Sequence, residues 1–118
     1  MRIIGVDPGT QKTGIGIVEE KDNQLIPIFF ETVSLKTSLS RPQKLAEIHR
    51  GIVRVICEFH PQAMALEDVF YHHNFKAAIR LGEARSAAIL AATFSEIPVF
   101  EYLPTRVKES ICGNGRAA

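Results

Sequence analysis

The first third of the chain alternates apolar and polar positions in short blocks that are separated by turn residues. Residues 2–6 form an apolar run closed by an aspartate, which predicts a buried strand. Residues 13–20 alternate glycine with β-branched side chains, and residues 24–33 follow a Lys-Asp-Asn turn, so both stretches predict strands of a meander. Pro27 favours an edge position for the third strand, because proline has no N–H to donate to a neighbouring strand.

From Ser40 onwards the apolar period lengthens to that of a helix. Ser40 and Pro42 are typical of an N-cap and an early helical position. Apolar side chains then recur three and four residues apart, at Leu45, Ile48, Ile52, Ile56 and Phe59. Residues 40–59 are therefore predicted to form an amphipathic helix, within which Cys57 is expected to be a small buried residue.

The rest of the chain alternates short apolar runs with helical stretches. Ala63–Glu67 and residues 99–103 predict strands, and residues 105–112 predict a short helix. Residues 76–95 predict a helix whose small side chains suit close packing against the sheet or against a twin helix in a dimer. Because strands that follow helices join a sheet through right-handed parallel crossovers, the predicted fold is α/β, a mixed five-stranded sheet flanked by helices.

Two carboxylates stand at the ends of predicted strands. Asp7 closes the first strand and Glu67 closes the fourth, and these strands are predicted to be parallel neighbours. Both side chains should then lie at the carboxyl end of the sheet, where open α/β sheets place their sites, and carboxylate oxygens suit Mg²⁺ or Mn²⁺. Asp68 should point to the opposite face of the strand and is not a predicted ligand. The alternative is that Asp7 caps a turn and Glu67 is solvated.

Composition narrows the class of protein without deciding its function. A chain of 118 residues and 13.1 kDa fits one domain, and 46% hydrophobic with 23% charged residues excludes disorder. The net charge of +1 excludes a strongly basic, histone-like binding mode but allows a local basic patch. Two cysteines without C-x-x-C spacing, and no apolar run long enough for a signal peptide or a membrane span, predict a cytoplasmic protein with no membrane partner.

The glycine-rich turn between the first two strands, within residues 5–14, fits two kinds of chemistry. Such a turn can hold phosphate, as the first phosphate loop of actin-like ATPases does, or it can place a catalytic metal, as in ribonuclease H-like nucleases. An actin-like ATPase needs a second domain with a second phosphate loop, and 118 residues leave no room for one.

Cations and aromatic residues are interleaved after the fourth strand. Lys76, Arg80 and Arg85 face a single acidic residue there, and Phe70 and Phe75 lie close to them in the chain. Aromatic rings beside cations can stack on unpaired bases while the cations hold phosphate, so Lys76 and Arg80 are candidate DNA-binding residues. The alternative is that the aromatic residues belong to the core and the cations form a solvated helix face.

Four motifs along the chain resemble those of the RuvC family of Holliday-junction resolvases in order and spacing. They are Gly-Val-Asp-Pro-Gly with Thr-Gly within residues 5–14, Ala-Leu-Glu-Asp-Val-Phe at 65–70, Leu-Gly-Glu-Ala-Arg at 81–85 and Pro-Val-Phe-Glu-Tyr at 98–102. The resemblance runs over essentially the whole chain. It implies a ribonuclease H-like nuclease domain, a homodimer, and Mg²⁺-dependent nicking of four-way DNA junctions in recombination and repair, with the RuvA–RuvB branch-migration complex as a partner.

The resemblance also assigns roles to single residues. Asp7 and Glu67 match two of the family's four catalytic, metal-binding carboxylates, which together hold two ions. Phe70 matches an aromatic residue that stacks on junction bases, and Lys108 matches a lysine near the scissile phosphate. Arg85 and the helix around it match the subunit interface.

The chain departs from the family's pattern in three places. Glu83 stands where glutamine is usual, and Ser86 stands where glycine is usual. The final helix, which carries the family's other two acidic ligands, is missing from the printed sequence, so this chain is expected to be a truncated and weak or inactive nuclease. Two other functions stay open: a module that binds branched DNA without cutting it, and an actin-like nucleotide-binding half-domain.

Overall fold

The computed structural model describes residues 1–67 and 74–102. Its elements, in chain order, are β1 (Arg2–Asp7), β2 (Lys12–Lys21), β3 (Gln24–Ser34), α1 (Arg41–Phe59), β4 (Ala63–Glu67), α2 (Phe75–Phe94) and β5 (Val99–Tyr102). All seven elements were predicted from the sequence, and no end differs from its predicted position by more than one residue. The short helix predicted for residues 105–112 lies outside the described residues, as do Phe70 and Lys108.

The strands form one mixed sheet in the order β3-β2-β1-β4-β5. Neighbours on the β2 side of β1 are antiparallel, because short turns join them, and neighbours on the β4 side are parallel, because helices make the crossovers. The predicted mixed five-stranded sheet is confirmed. So is the edge position of β3, where Pro27 pairs with Val18 beside a shift in the β2–β3 register.

One face of the sheet packs against both helices to make the core. Ile4 and Val6 of β1 lie opposite Ile17 and Ile15 of β2, and all four side chains are fully buried. The same cluster includes Met64, Leu66, Ile48, Ile52, Val55, Ala84, Ala88, Ala91 and Ala92. The alanines of α2 thus pack inside the chain, which is the first of the two uses predicted for its small side chains.

Residues with special backbone conformations define the ends of the elements. Ser40 caps α1, its side chain accepting from the Gln43 N–H while the Gln43 side chain accepts from the Ser40 N–H. His60 closes α1 in the left-handed region with φ 53°, and Asp22 and Asn23 adopt φ 53° and 63° in the β2–β3 turn. Asn and Asp tolerate this region, which is why such residues make tight hairpins.

The burial predicted for Cys57 is wrong. Its side chain is exposed, whereas the preceding Ile56 is buried against the sheet. Successive residues of a helix lie about 100° apart around its axis, so Cys57 is turned away from the apolar stripe that Ile56 completes.

Within the described ranges, no helix is both long and apolar enough to cross a membrane.

Candidate metal centre and nucleic-acid interface

Asp7 and Glu67 are brought to one edge of the sheet. Asp7 is the last residue of β1 and is exposed, and Glu67 is the last residue of β4 and is half-buried. The two strands are parallel, with Val6 directly beside Leu66, so the next residue of each strand projects from the same face. Neighbouring strands lie about 4.8 Å apart, which allows two carboxylates placed in this way to reach a shared cation.

The donor set at this edge fits a hard divalent cation. Mg²⁺ is usually held by one or two carboxylates together with waters and substrate phosphates, and Asp7 and Glu67 supply two such carboxylates. Within the part of the chain that the structure describes, no group of three or more His, Cys, Asp and Glu residues could hold a metal ion by itself. Metal binding by the pair stays a prediction, in which water, substrate or further ligands would complete the site.

Glycine keeps the surface beside Asp7 open. Gly14 of β2 pairs with Asp7 across the antiparallel ladder. A Cβ atom at Gly14 would lie 3.7 Å from the Cβ of Asp7 and 3.6 Å from the ring of Phe30, an exposed aromatic residue of β3. Nothing in the sequence pattern singled out Phe30, because its nearness to Asp7 depends on the register of three strands.

The turn that follows Asp7 is held by Thr13 and by a close backbone approach. Thr13 is fully buried, and its hydroxyl donates to the Gly9 carbonyl (3.2 Å) and accepts from the Gly9 N–H (3.3 Å). A Cβ atom at Gly9 would lie only 2.3 Å from the carbonyl oxygen of Lys12, which leaves no space for a side chain. The glycine and threonine of the sequence motif therefore fix the shape of the turn that carries Asp7.

Arg85 anchors the end of β4. Its side chain is only 12% exposed, donates to the backbone carbonyl of Glu67 and forms an ion pair of 3.1 Å with Glu101 of β5. Because the carbonyl of Glu67 is held, the backbone that carries this carboxylate is fixed relative to α2 and β5. The role at a subunit interface stays a prediction, to which the structure adds this contact within the chain.

Lys76 and Arg80 lie near the carboxylate edge. Lys76 is exposed in the first turn of α2, and Arg80 is half-buried one turn later. Both line a groove with Gly9 and Thr10, which follow Asp7 in the chain. Phe75 is 79% exposed, so the alternative that it belongs to the core is wrong. DNA binding by Lys76 and Arg80 stays a prediction.

The sheet order β3-β2-β1-β4-β5, with both helices on one face, is that of a ribonuclease H-like fold. The chain belongs to the RuvC family: the sequence model described as "Crossover junction endodeoxyribonuclease RuvC" matches residues 3–118. Family membership and the fold class were both predicted from the four sequence motifs, and both are confirmed.

Curated relatives match over nearly the whole chain. The crossover junction endodeoxyribonuclease RuvC of Geotalea uraniireducens is 38% identical over 118 residues, which are 100% of this chain and 69% of the relative. That of Trichlorobacter lovleyi is 43% identical over 99% of this chain and 66% of the relative. The chain thus spans about two thirds of the length of the relatives that it matches.

Solved structures agree with the sequence comparison. The structure described as "T. thermophilus RuvC in complex with Holliday junction substrate" matches with a TM-score of 0.83 and 28% identity, over 92% of this chain and 68% of that one. The fowlpox virus Holliday junction resolvase in complex with junction DNA matches with a TM-score of 0.56 at 20% identity. At that identity the second likeness concerns the fold alone.

Proposed function

We propose that this chain is the nuclease domain of an enzyme that resolves four-way DNA junctions by metal-dependent hydrolysis of phosphodiester bonds, in recombination and repair. The observation that carries the proposal is the placement of Asp7 and Glu67 on adjacent parallel strands of a RuvC-family sheet. The Thermus relative was solved with a Holliday junction, which makes the same DNA the expected substrate.

The reaction determines what the carboxylates must do. Phosphodiester hydrolysis needs an activated water and neutralisation of the charge on the leaving oxygen, and bound divalent ions would supply both. We infer that Asp7, at the exposed strand end, and Glu67, whose backbone Arg85 holds, would bind these ions. We infer Mg²⁺ as the ion, with Mn²⁺ as a substitute, because both candidate donors among the described residues are carboxylate oxygens.

Further elements of the site and its partners are part of the proposal. The resemblance implies two more acidic ligands on a later helix, and we propose that they complete the site. It also implies base stacking by Phe70 and a phosphate contact by Lys108, which support a role in binding the junction. Homodimerisation through the α2 region around Arg85, cooperation with the RuvA–RuvB complex and a cytoplasmic location are proposed on the same basis.

The experiment compares cutting with binding on a synthetic four-way junction and on a linear duplex of the same sequence. The protein is the chain itself and the chain extended by whatever its coding sequence encodes after Ala118, each with Mg²⁺ or with EDTA. We expect both to bind the junction in preference to the duplex, and only the extended protein to nick it strongly in a Mg²⁺-dependent way. Robust nicking by the 118-residue chain would contradict the need for further ligands.

The same experiment separates the competing functions. Junction binding without nicking by either protein would favour a module that binds branched DNA without cutting it. Binding of ATP, detected as a thermal shift, would favour the actin-like alternative, which the family match does not support. Failure to bind the junction in preference to the duplex would overturn the proposed function.

A further inference from the structure

A basic groove runs along the surface next to the carboxylate edge. We use this name for the surface lined by Thr10, Arg41, Lys44, Lys76 and Arg80. It consists of a cavity of about 290 Å³ at the start of α1 and an adjoining one of about 480 Å³ at the start of α2, which share Thr10 and Arg80. Since Thr10 lies three residues after Asp7, the groove begins in the turn that follows this carboxylate.

The basic groove carries more positive charge than the net charge of the whole chain suggests. The chain has a formal net charge of +1, yet among the described residues Arg41, Lys44, Lys76 and Arg80 share the groove with a single carboxylate, that of Glu83. Four clustered cations are a typical electrostatic footprint for a nucleic-acid backbone. The groove also receives the first turns of two helices, whose macrodipoles add to the positive potential.

Glu83 is held between two of these cations. Its Oε1 oxygen lies 3.3 Å from Nε of Arg41 and 3.7 Å from a terminal nitrogen of Arg80. Within the described part of the chain this buried oxygen accepts no hydrogen bond, so the two contacts are ion pairs without directed donors. The arginine side chains are 51% and 32% exposed, and their guanidinium groups can offer a bidentate fork to a phosphate.

We propose that the basic groove binds consecutive backbone phosphates of a DNA strand, and that Glu83 is an internal counter-ion that competes with those phosphates for Arg41 and Arg80. This inference rests on the proposed function, because it takes junction DNA as the ligand. It adds Arg41 and Lys44 of α1 to the candidate contacts on α2. In the free protein Glu83 pairs with both arginines, and in the complex its charge opposes the incoming phosphate.

The competition predicts that removing the charge of Glu83 tightens DNA binding. An exposed ion pair is worth about 0.2–1 kcal/mol, so Glu83→Gln should lower the dissociation constant roughly 1.5- to 5-fold. Arg41→Gln and Lys44→Gln should each weaken binding and reduce the slope of log K against log salt by about 0.9, because each contact with phosphate releases about one counter-ion.

Glu47→Gln is the matched control. Glu47 pairs with Arg50 on the exposed surface of α1, outside the basic groove, and its replacement changes the net charge by the same amount as Glu83→Gln. Any difference between the two variants therefore reports the local effect at the groove and not the overall charge. Thermal unfolding of every variant shows whether its fold is kept.

The measurement is fluorescence anisotropy with a labelled four-way junction and a linear duplex, in EDTA, from about 50 to 200 mM salt. We expect Glu83→Gln to bind both DNAs more tightly than Glu47→Gln does. Equal affinities of these two variants, or unchanged binding by Arg41→Gln and Lys44→Gln, would overturn the inference. Equal binding of junction and duplex by the unmodified chain would instead overturn the proposed function, while the comparison of variants on the duplex would still test the groove.

Discussion

The two ends of β1 treat their charges in opposite ways. At the amino end, Glu19 of β2 lies 3.1 Å from the N-terminal ammonium and 3.1 Å from Nε of Arg2. Arg2 also donates to the Phe59 carbonyl at 2.8 Å, which ties the strand to the end of α1. At the carboxyl end, Asp7 is exposed and forms no ion pair with any of the residues that the structure describes.

The two ends of this six-residue strand therefore differ in what their charged side chains can do. Charges that are paired within the chain hold elements together, and a ligand must compete with the existing partner to bind them. A carboxylate without a cationic partner keeps its full attraction for a metal ion, and remains stable while unoccupied because water solvates it. We therefore expect the amino end of β1 to serve the fold and the carboxyl end to be the one that binds a ligand.

The largest effect is expected from Asp7→Asn, which removes the negative charge at the carboxyl end. An amide is a weaker metal ligand, and metal assistance is worth several kcal/mol, so Mg²⁺-dependent nicking should fall about 10³-fold or more. The extended protein is used for nicking, and Mn²⁺ binding by the chain is measured calorimetrically. Glu19→Gln, at the other end of β1, is the control and should leave nicking and Mn²⁺ binding unchanged. A similar loss in this variant would show that the two ends of β1 do not differ in metal binding.

The next effect concerns the anchors of the two ends. Arg85→Ala frees the Glu67 carbonyl and leaves Glu101 without this partner, so Mn²⁺ affinity should fall about 10- to 100-fold, as for other residues that orient ligands. Arg2→Ala should lower the free energy of unfolding by about 1–3 kcal/mol and leave Mn²⁺ affinity unchanged. Arg85→Lys, which keeps the charge but not the fork, should be intermediate in affinity. If Arg85→Ala and Arg2→Ala weaken Mn²⁺ binding equally, Arg85 has no specific role in positioning Glu67.

A smaller effect is expected from the turn after Asp7. Gly9→Ala places a Cβ against the Lys12 carbonyl and should lower the free energy of unfolding by about 1–3 kcal/mol. Gly82→Ala is the matched change in a helix, where a Cβ meets nothing within 4 Å, and it should raise the free energy of unfolding by about 0.5–1 kcal/mol. Chemical denaturation measures both, and equal effects would mean that the turn is not tightly constrained.

The smallest effect is a pH dependence at the amino end. A hydrogen bond from the N-terminal ammonium, followed by one from Arg2, lowers the pKa of Glu19 below its ordinary value of 4.5. The stabilisation is therefore complete above that ordinary value and is lost as the pH falls through the lowered pKa of the folded state. Unfolding measured from neutral to acidic pH should show the unmodified chain and Glu19→Gln converging in acid. A difference that stays constant over this range would rule out the ionised carboxylate as its source.

Much of the fold followed from local pattern. The N-cap at Ser40, the apolar stripe of α1 and the Asp-Asn turn are decided by neighbours in the chain, so their positions were predicted to within a residue or so. Cys57 was misplaced because its burial depends on a rotation of one residue about the helix axis, which an approximate stripe does not resolve. Asp7 and Glu67 were predicted together because strand order and parallel pairing follow from the sequence of elements.

Contacts between distant elements could not be predicted in this way. The hydrogen bond from Arg85 to the Glu67 carbonyl joins α2 to β4, and the position of Phe30 and Asp7 on either side of Gly14 depends on two strand registers at once. The position of Glu83 between Arg41 and Arg80 needs the packing of α2 against α1. The sequence by itself determined the elements, the family and the two carboxylates, because these depend on periodicity and motif. Only the tertiary structure decided which side chains anchor the carboxylate edge and which cations form the basic groove, because those contacts depend on how helices and strands pack in space.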